Sequence, residues 1–378
     1  MQPLEGIRIL DLTHVIAGPF STHQMRTLGA EVIKVERPGI GDGVRSMGIL
    51  PDGTSPPFRA LNSGKKSVEI DLKTAEGREA VLKLAADSDV FIENFRPGVA
   101  KSLGLTAADI RAVRPDVIYC SISGWGQSGP RAGFPAYDHV IQAATGMMAL
   151  QGDGDPDAAP IKVGFPVIDF AAGMMAATAI LAAVLRRARG DTAPIELDVS
   201  MVDSAMMLMG STASMVRAFD RAPKPAGNRG FVGSPGAETL PTKDGYISLG
   251  ANTIGQFRTL CQILGRPELA APPYLPDGLP EGSYLSNIAT DELREELIKG
   301  LEKFEAGALE ERLTSAGVPA AKVRNLHEYL TEVYPETPGI DLPNSDGVFG
   351  SGFRWLGEEL VELPPAPSLG EHTEEYLS

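Results

Sequence analysis

The stretch GIRILDLTHVIAGPFSTHQMRTLGAEVIKVE, residues 6–36, decides the fold. Its two ends, 6–12 and 31–36, are short apolar runs and read as strands; 21–29 between them reads as a helix. Strand signals recur at 67–72, 90–94 and 116–123, with helical signals at 75–88 and 107–113. The last helix opens on Thr106 with Asp109 three residues later, a capping box, and stops before Pro115. Strands alternating with helices predict a parallel, doubly wound sheet and an α/β fold.

Further along the chain the pattern loosens. A helical patch covers 138–150, and a long apolar helix covers 170–187. A strand at 194–200 leads into a Met-rich helix. The run RAPKPAGNRGFVGSPG, 221–236, reads as a linker or functional loop. A small β-then-α unit follows, with a strand at 246–250 and a helix at 256–264. One or two helices lie within 291–317. The tail 332–378 holds six of the chain's 30 prolines, more than its share by length. Regular elements do not account for it, and it is expected to pack along another surface, such as a partner subunit.

A chain of 378 residues suggests two or three domains and ample core. A net charge of −15 disfavours broad nucleic-acid binding, while a local basic pocket for a small anion stays open. Cys120 and Cys261 are the only cysteines, with no CxxC and no nearby His, so no disulfide framework or zinc site is expected. The five histidines lack HExxH or HxH spacing, and no metal is expected. The uncharged run 170–185 would span about 24 Å as a helix, short of a hydrocarbon core of about 30 Å. A buried helix is the expectation, with no membrane partner. No signal peptide is visible in MQPLEGIRIL, and a cytoplasmic protein is expected.

Several groups are candidates for chemistry. Residues 124–129, GWGQSG, match GxGxxG after a strand, but a dinucleotide site must open a helix, and Pro130, Gly133 and Pro135 follow at once. A turn at a strand end fits better, and such ends line ligand sites. GxSxG and the P-loop pattern do not occur. Asp169 precedes the apolar helix and reads either as its N-cap or as a carboxylate held ionised by the helix dipole and free N–H groups, poised as a nucleophile. Ala171, Ala172 and Gly173 would then let a bulky ligand approach the backbone. Tyr137 and Asp138 either enter a helix or face a ligand, and His139 is a general base by pKa or simply exposed. Lys34, Arg37, Arg45, Lys65, Lys66, Lys73, Arg96 and Lys101 are separate surface charges or together an anion-binding lane. Nine of the twelve methionines fall in 147–215; core filling is the default reading and an acyl pocket the sharper one.

Read in order, 14–45, 62–105, ISGWGQSGP (122–130), YDHVIQAATG (137–146), DFAAGMMAATAILAAVLRRARG (169–190) and PPAPSLGEHTEEYL (364–377) resemble the family III CoA-transferases (the CaiB/BaiF family). The resemblance covers nearly the whole chain. It implies a Rossmann-like large domain, a small α+β domain and two interlocked subunits. The large domain would take 1–220, the small domain with linkers 221–318, and 319–378 would return to the large domain. It implies a nucleophilic Asp169, an acyl–aspartyl anhydride and an aspartyl–CoA thioester. It places CoA contacts at Ile16, Ala17, Arg37, Ile70, Lys73, Asn94, Phe95 and Arg96, and Tyr137 and Asp138 near the reacting end. Ser102 stands where the formyl-CoA enzyme has an arginine, with Lys101 as a substitute. The family's mobile glycine-rich loop falls at 230–235, with fewer glycines. CoA thioesters and carboxylic acids are the implied substrates; no cofactor is implied.

Three other readings stand beside it. The related α-methylacyl-CoA racemases use a His–Asp pair and a small-domain glutamate; here Tyr137 holds the His position and 251–255, ANTIG, has no carboxylate. An NAD-linked oxidoreductase would rest on 124–129 alone, and a CoA-binding protein without catalysis would bind without exchange. Arg96, Arg229 and Arg258 are each candidates to hold the distal carboxylate of a dicarboxylic acid.

Overall fold

The computed structural model describes residues 2–152, 155, 157–230, 233–336, 350, 352–353, 355–357 and 362–378. Of the loop expected at 230–235, Phe231 and Val232 lie outside the described residues, as do 337–349 and other parts of the tail. The chain forms two compact units, one of 1–148, 162–222 and 340–378, the other of 149–161 and 223–339.

The first unit carries a six-stranded parallel sheet: β1 (Arg8–Asp11), β2 (Glu31–Glu36), β3 (Lys66–Glu69), β4 (Val90–Glu93), β5 (Ile118–Ser123) and β6 (Ile195–Ser200). Its order is β3-β2-β1-β4-β5-β6, which reverses between β1 and β4. Ligands bind outside the carboxyl ends of strands at such a reversal. Its helices are α1 (Ala17–Thr27), α2 (Pro56–Asn62), α3 (Ala75–Ala86), α4 (Val99–Leu103), α5 (Ala107–Arg111), α6 (Asp138–Ala144), α7 (Val167–Ala188), α8 (Met201–Leu208) and α9 (Gly210–Phe219). Alternation along the strands sends successive side chains to opposite faces. Ile9, Val32, Val90 and Ile92 pack with Ile168, Ala172, Ala176 and Ile180 of α7. Leu10, Ile33 and Phe91 pack on the other side with Val81 and Leu84 of α3 and Ile110 of α5. The parallel α/β architecture expected from 6–36 is thus present, and the Thr106–Asp109 capping box forms.

Helix α1 begins at Ala17, four residues before the expected 21, with Pro19 in its first turn, where a missing N–H costs nothing. Helix α7 runs 22 residues and is long and apolar enough to cross a membrane; it lies instead with Ala172, Ala176 and Ile180 fully buried against the sheet. Gly370 and His372 of the tail pack on the β3 edge of their own unit. Ser67 N donates to His372 Nδ1 at 3.3 Å, His372 N donates to Ser67 O at 2.9 Å, and Gly370 N donates to Ser67 Oγ at 3.0 Å. These bonds satisfy an edge strand that would otherwise be open.

The second unit holds a three-stranded antiparallel sheet of β7 (Thr239–Pro241), β8 (Tyr246–Leu249) and β9 (Ala320–Lys322), in that order. Helices α10 (Ile254–Ile263), α11 (Asp291–Leu301) and α12 (Ala306–Ser315) bury Phe257, Leu260, Leu293, Leu297, Leu309 and Leu313 with it. A short α13 (Leu326–Glu328) follows, and α14 (Thr373–Leu377) closes the chain in the first unit. Because Ala320–Lys322 pairs with β8, the residues just past 318 still belong to this unit.

Candidate active site

A cleft of about 270 Å³ opens at the carboxyl ends of β1, β4 and β5. The turn before α1 contributes His14, Val15, Ile16 and Ala17; the end of β4 contributes Asn94, Phe95 and Arg96; the segment around α6 contributes Tyr137; and α7 contributes Asp169. A second cavity of about 460 Å³ lies over β2 and β3 and shares His14, Phe95 and Val99 with the first. Arg37, Ile70 and Lys73 line it. The fold therefore brings Ile16, Ala17, Asn94, Phe95, Arg96, Tyr137 and Asp169 into one cleft, and Arg37, Ile70 and Lys73 into the adjoining one. Lys101 is exposed on α4 and lines neither.

Asp169 is not the helix cap. Helix α7 starts at Val167, and Asp169 sits in its first turn. The cap is Asp138, from the first residue of α6: its carboxylate accepts Ile168 N at 2.6 Å and Asp169 N at 3.2 Å. Gln142 bonds the same carboxylate and in turn accepts Val163 N at 2.9 Å. Asp138 is buried and does not line the cleft, so it holds Asp169 from behind. With those N–H groups taken, the Asp169 carboxyl has no hydrogen-bond or ion-pair partner among the described residues. Burial, and then the Asp138 charge, push its pKa up to about 7. The expectation of a carboxylate held ionised by free N–H groups is thus reversed: desolvation and a like charge outweigh the dipole. Tyr137, by contrast, is 65% exposed and lines the cleft, its ring stacked near that of His139.

The small residues after Asp169 serve packing rather than a ligand. Ala171 and Ala172 are buried. A Cβ placed on Gly173 would come within 2.6 Å of the Ala17 carbonyl oxygen, so α1 and α7 touch backbone to backbone one turn beyond Asp169. Gly173→Ala should therefore cost about 1–3 kcal/mol of stability. Because Ala17 and Asp169 line one cleft, it should also lower kcat/KM about tenfold or more. Thermal melts and initial rates check both, and unchanged values would refute the close-packing argument.

The basic lane divides. Lys34 pairs with Asp42 at 3.0 Å, Arg45 with Glu36 at 2.7 Å, Lys65 with Asp11 at 3.2 Å and Lys66 with Glu375 at 3.8 Å. Arg37, Lys73 and Arg96 have no ion-pair partner among the described residues and are exposed, with Arg37 and Lys73 on the second cavity and Arg96 on the first. Arg229 pairs with Asp291, and Arg258 with Glu281, so both are engaged within the second unit. No group of three His, Cys, Asp or Glu stands close enough to hold a metal among the described residues. The 124–129 run is a turn, with positive φ at Gly126 and Gly129; no helix follows it before α6.

His14, Ser123 and Val15 are among the cleft residues that the sequence did not single out. His14 is kept below the ordinary imidazole value by burial and so is neutral near pH 7. Ser123 is buried with no partner for its hydroxyl among the described residues. Val15 has a left-handed backbone, φ +70°. Only the strand-end position of Ser123 hinted at the cleft.

The sequence matches the description "CoA-transferase family III" over residues 4–373. The chain belongs to that family. This CoA-transferase is 35% identical over 399 residues to the succinyl-CoA:glutarate CoA-transferase of Homo sapiens, covering 100% of this chain and 86% of the relative. It is 33% identical over 374 residues to the acetyl-CoA:oxalate CoA-transferase of Acetobacter aceti, covering 98% and 93%. The crystal structure of a CaiB/BaiF family protein from Brucella suis superposes with a TM-score of 0.87 at 31% identity, over 99% of this chain and 98% of that one. Family and relatives agree on an enzyme that moves CoA between an acyl-CoA and a carboxylic acid.

Proposed function

We propose that Asp169 is the nucleophile of this transfer and that short dicarboxylic acids are its substrates. The observation that carries the reading is the Asp169 carboxyl itself, half-buried in a cleft, unpartnered among the described residues and pushed up to about 7. A buried carboxylate without a partner is costly and calls for a chemical role. Its carboxylate attacks the donor thioester carbonyl, and CoA thiolate leaves as an acyl–aspartyl anhydride forms. The thiolate attacks the aspartyl carbonyl, releasing the donor acid and leaving an aspartyl–CoA thioester. The acceptor carboxylate runs the steps in reverse.

The adjoining cavity suits the nucleotide end of CoA. Arg37 and Lys73 face its phosphates, while Ile70 gives an apolar wall for the adenine. Ile16, Ala17, Asn94, Phe95 and Arg96 border the pantetheine arm, Tyr137 faces the acyl group, and Asp138 orients Asp169 without touching substrate. Lys101 lies outside both cavities and has at most a long-range electrostatic part. The dicarboxylic class rests on the relatives, whose names pair CoA donors with glutarate and oxalate. A homodimer completes the reading, supported by the exposed apolar side chains of Met206, Met207, Met215 and Phe219 on α8 and α9.

The test is trapping. The enzyme is incubated with succinyl-CoA, quenched with hydroxylamine and mapped by peptide mass spectrometry. A hydroxamate on Asp169 is expected; exchange that proceeds with no adduct on Asp169 overturns the reading.

The pH profile gives a second check. Asp169 attacks as the anion, so kcat/KM should fall as pH drops through about 7. In Asp138→Asn the amide oxygen still accepts Ile168 N–H, but the like charge is gone. The acid limb should then move down by roughly one unit. Initial rates from roughly pH 5 to 9 measure it; an unmoved limb would show that Asp138 does not tune Asp169.

A further inference from the structure

The turn Thr13–His14–Val15, between β1 and α1, is held by side chains from four separate segments. Thr13 N donates to Asp11 Oδ1 at 2.8 Å, and Lys34 Nζ donates to Thr13 O at 2.7 Å. Asn94 takes both polar groups of His14: its Oδ1 accepts His14 N at 3.0 Å and its Nδ2 donates to His14 O at 2.8 Å. The Asp42 carboxylate accepts Val15 N at 3.1 and 3.2 Å. It also pairs with Lys34 at 3.0 Å, and both of those side chains are shut off from solvent. Val15 is a β-branched residue in the left-handed region, a conformation that persists only when the surroundings impose it. The next two residues, Ile16 and Ala17, line the cleft with Asp169. His14, Val15 and Asn94 also line the cleft, and Lys34 and Asp42 line the adjoining cavity; a glycine at 15 would have made the Asp42 clamp unnecessary.

We propose that Asp42 is a positioning residue for CoA transfer: with Lys34 and Asn94 it imposes the left-handed backbone of Val15 and so aims the Ile16–Ala17 strip beside Asp169 before the thioester arrives. The proposal rests on the reading of the Asp169 cleft as the reaction site. Preformed geometry of this kind is valuable because a misplacement of about 1 Å costs on the order of 100-fold in rate.

Four variants of the full-length enzyme test it: Asp42→Asn, Asp42→Ala, Val15→Gly/Asp42→Ala and Asp169→Ala. Both single Asp42 variants remove one of the carboxylates that face buried Lys34, the one paired with it at 3.0 Å, so both should melt lower. Asp42→Asn keeps an oxygen for Val15 N–H and should hold kcat within about threefold, whereas Asp42→Ala should lose about 100-fold, chiefly in kcat. Adding Val15→Gly should recover at least about tenfold of that loss without raising the melting temperature, because glycine takes a positive φ unaided. A double variant as slow as Asp42→Ala overturns the positioning role. Should Asp42→Ala not fold, Asp42→Asn decides alone: kcat held while melting falls supports the proposal, and kcat falling in step with melting overturns it. Exchange surviving in Asp169→Ala would overturn the reading of the cleft, and the proposal with it; with that variant inactive, the Asp42 results bear on the clamp alone.

Discussion

Asp169→Ala is expected to lower CoA exchange by roughly 10⁴-fold or more, the scale seen when a covalent nucleophile is removed, while the protein stays folded. Asp169→Asn should behave alike in activity and isolates the charge. The reason both should fold is that the wild-type carboxyl carries a cost. Its folded pKa of about 7 lies above the unfolded value of about 3.9. The folded state therefore binds more protons between those values, and wild-type stability from this group is present at low pH and lost as pH rises through 7. Asp169→Asn lacks that loss, so its melting temperature relative to wild type should rise between about pH 4 and pH 8. Thermal melts at both pH values, run beside exchange assays, check this. A variant that loses activity only because it unfolds would fail the test, as would an Asp169→Ala enzyme that still exchanges CoA.

The second large effect is on stability. Asp11 and Lys65 form an ion pair with neither side chain exposed. Asp11 accepts Thr13 N at 2.8 Å and Thr22 Oγ1 at 2.6 Å, while Lys65 donates to Pro19 O, Thr22 Oγ1 and Asn62 Oδ1. Burial opposes the Asp11 charge, yet Lys65, Lys34 and the Thr13 and Thr22 hydroxyls outweigh it and hold the carboxyl below the ordinary aspartate value. Burial lowers Lys65 only to about 8, so both partners are charged at pH 7. Asp11→Ala would strand the lysine and should cost about 3–5 kcal/mol, a fall in melting temperature of roughly 10 °C. Asp11→Leu/Lys65→Met, which removes both charges, should recover most of it. A double variant as unstable as Asp11→Ala would show that the loss came from packing and not from the uncompensated charge.

Sequence periodicity was enough for the parallel sheet. The strands at 31–36 and 116–123 and the helix at 75–88 were legible because alternation and helical spacing are local properties of the chain. Ordered motifs over nearly the full length carried the family. Asp169 stood out because it precedes a long apolar helix, and Arg37 and Lys73 because cations near strand ends suit phosphates. The departures have one origin. Asp138 caps α7 from 31 residues upstream of Asp169, which no local rule reports, and that contact turned an expected cap into an unpartnered carboxyl. The basic residues looked alike in sequence; only folding showed Lys34 and Lys65 consumed in buried pairs and Arg37 and Lys73 lining the second cavity with no ion-pair partner among the described residues. Gly173 read as room for substrate until the Ala17 carbonyl came to rest against it. Which elements form follows from near neighbours along the chain. Charge state, packing partner and the strained turn at Val15 depend on groups far apart in sequence and adjacent in space, and these were decided by the tertiary structure.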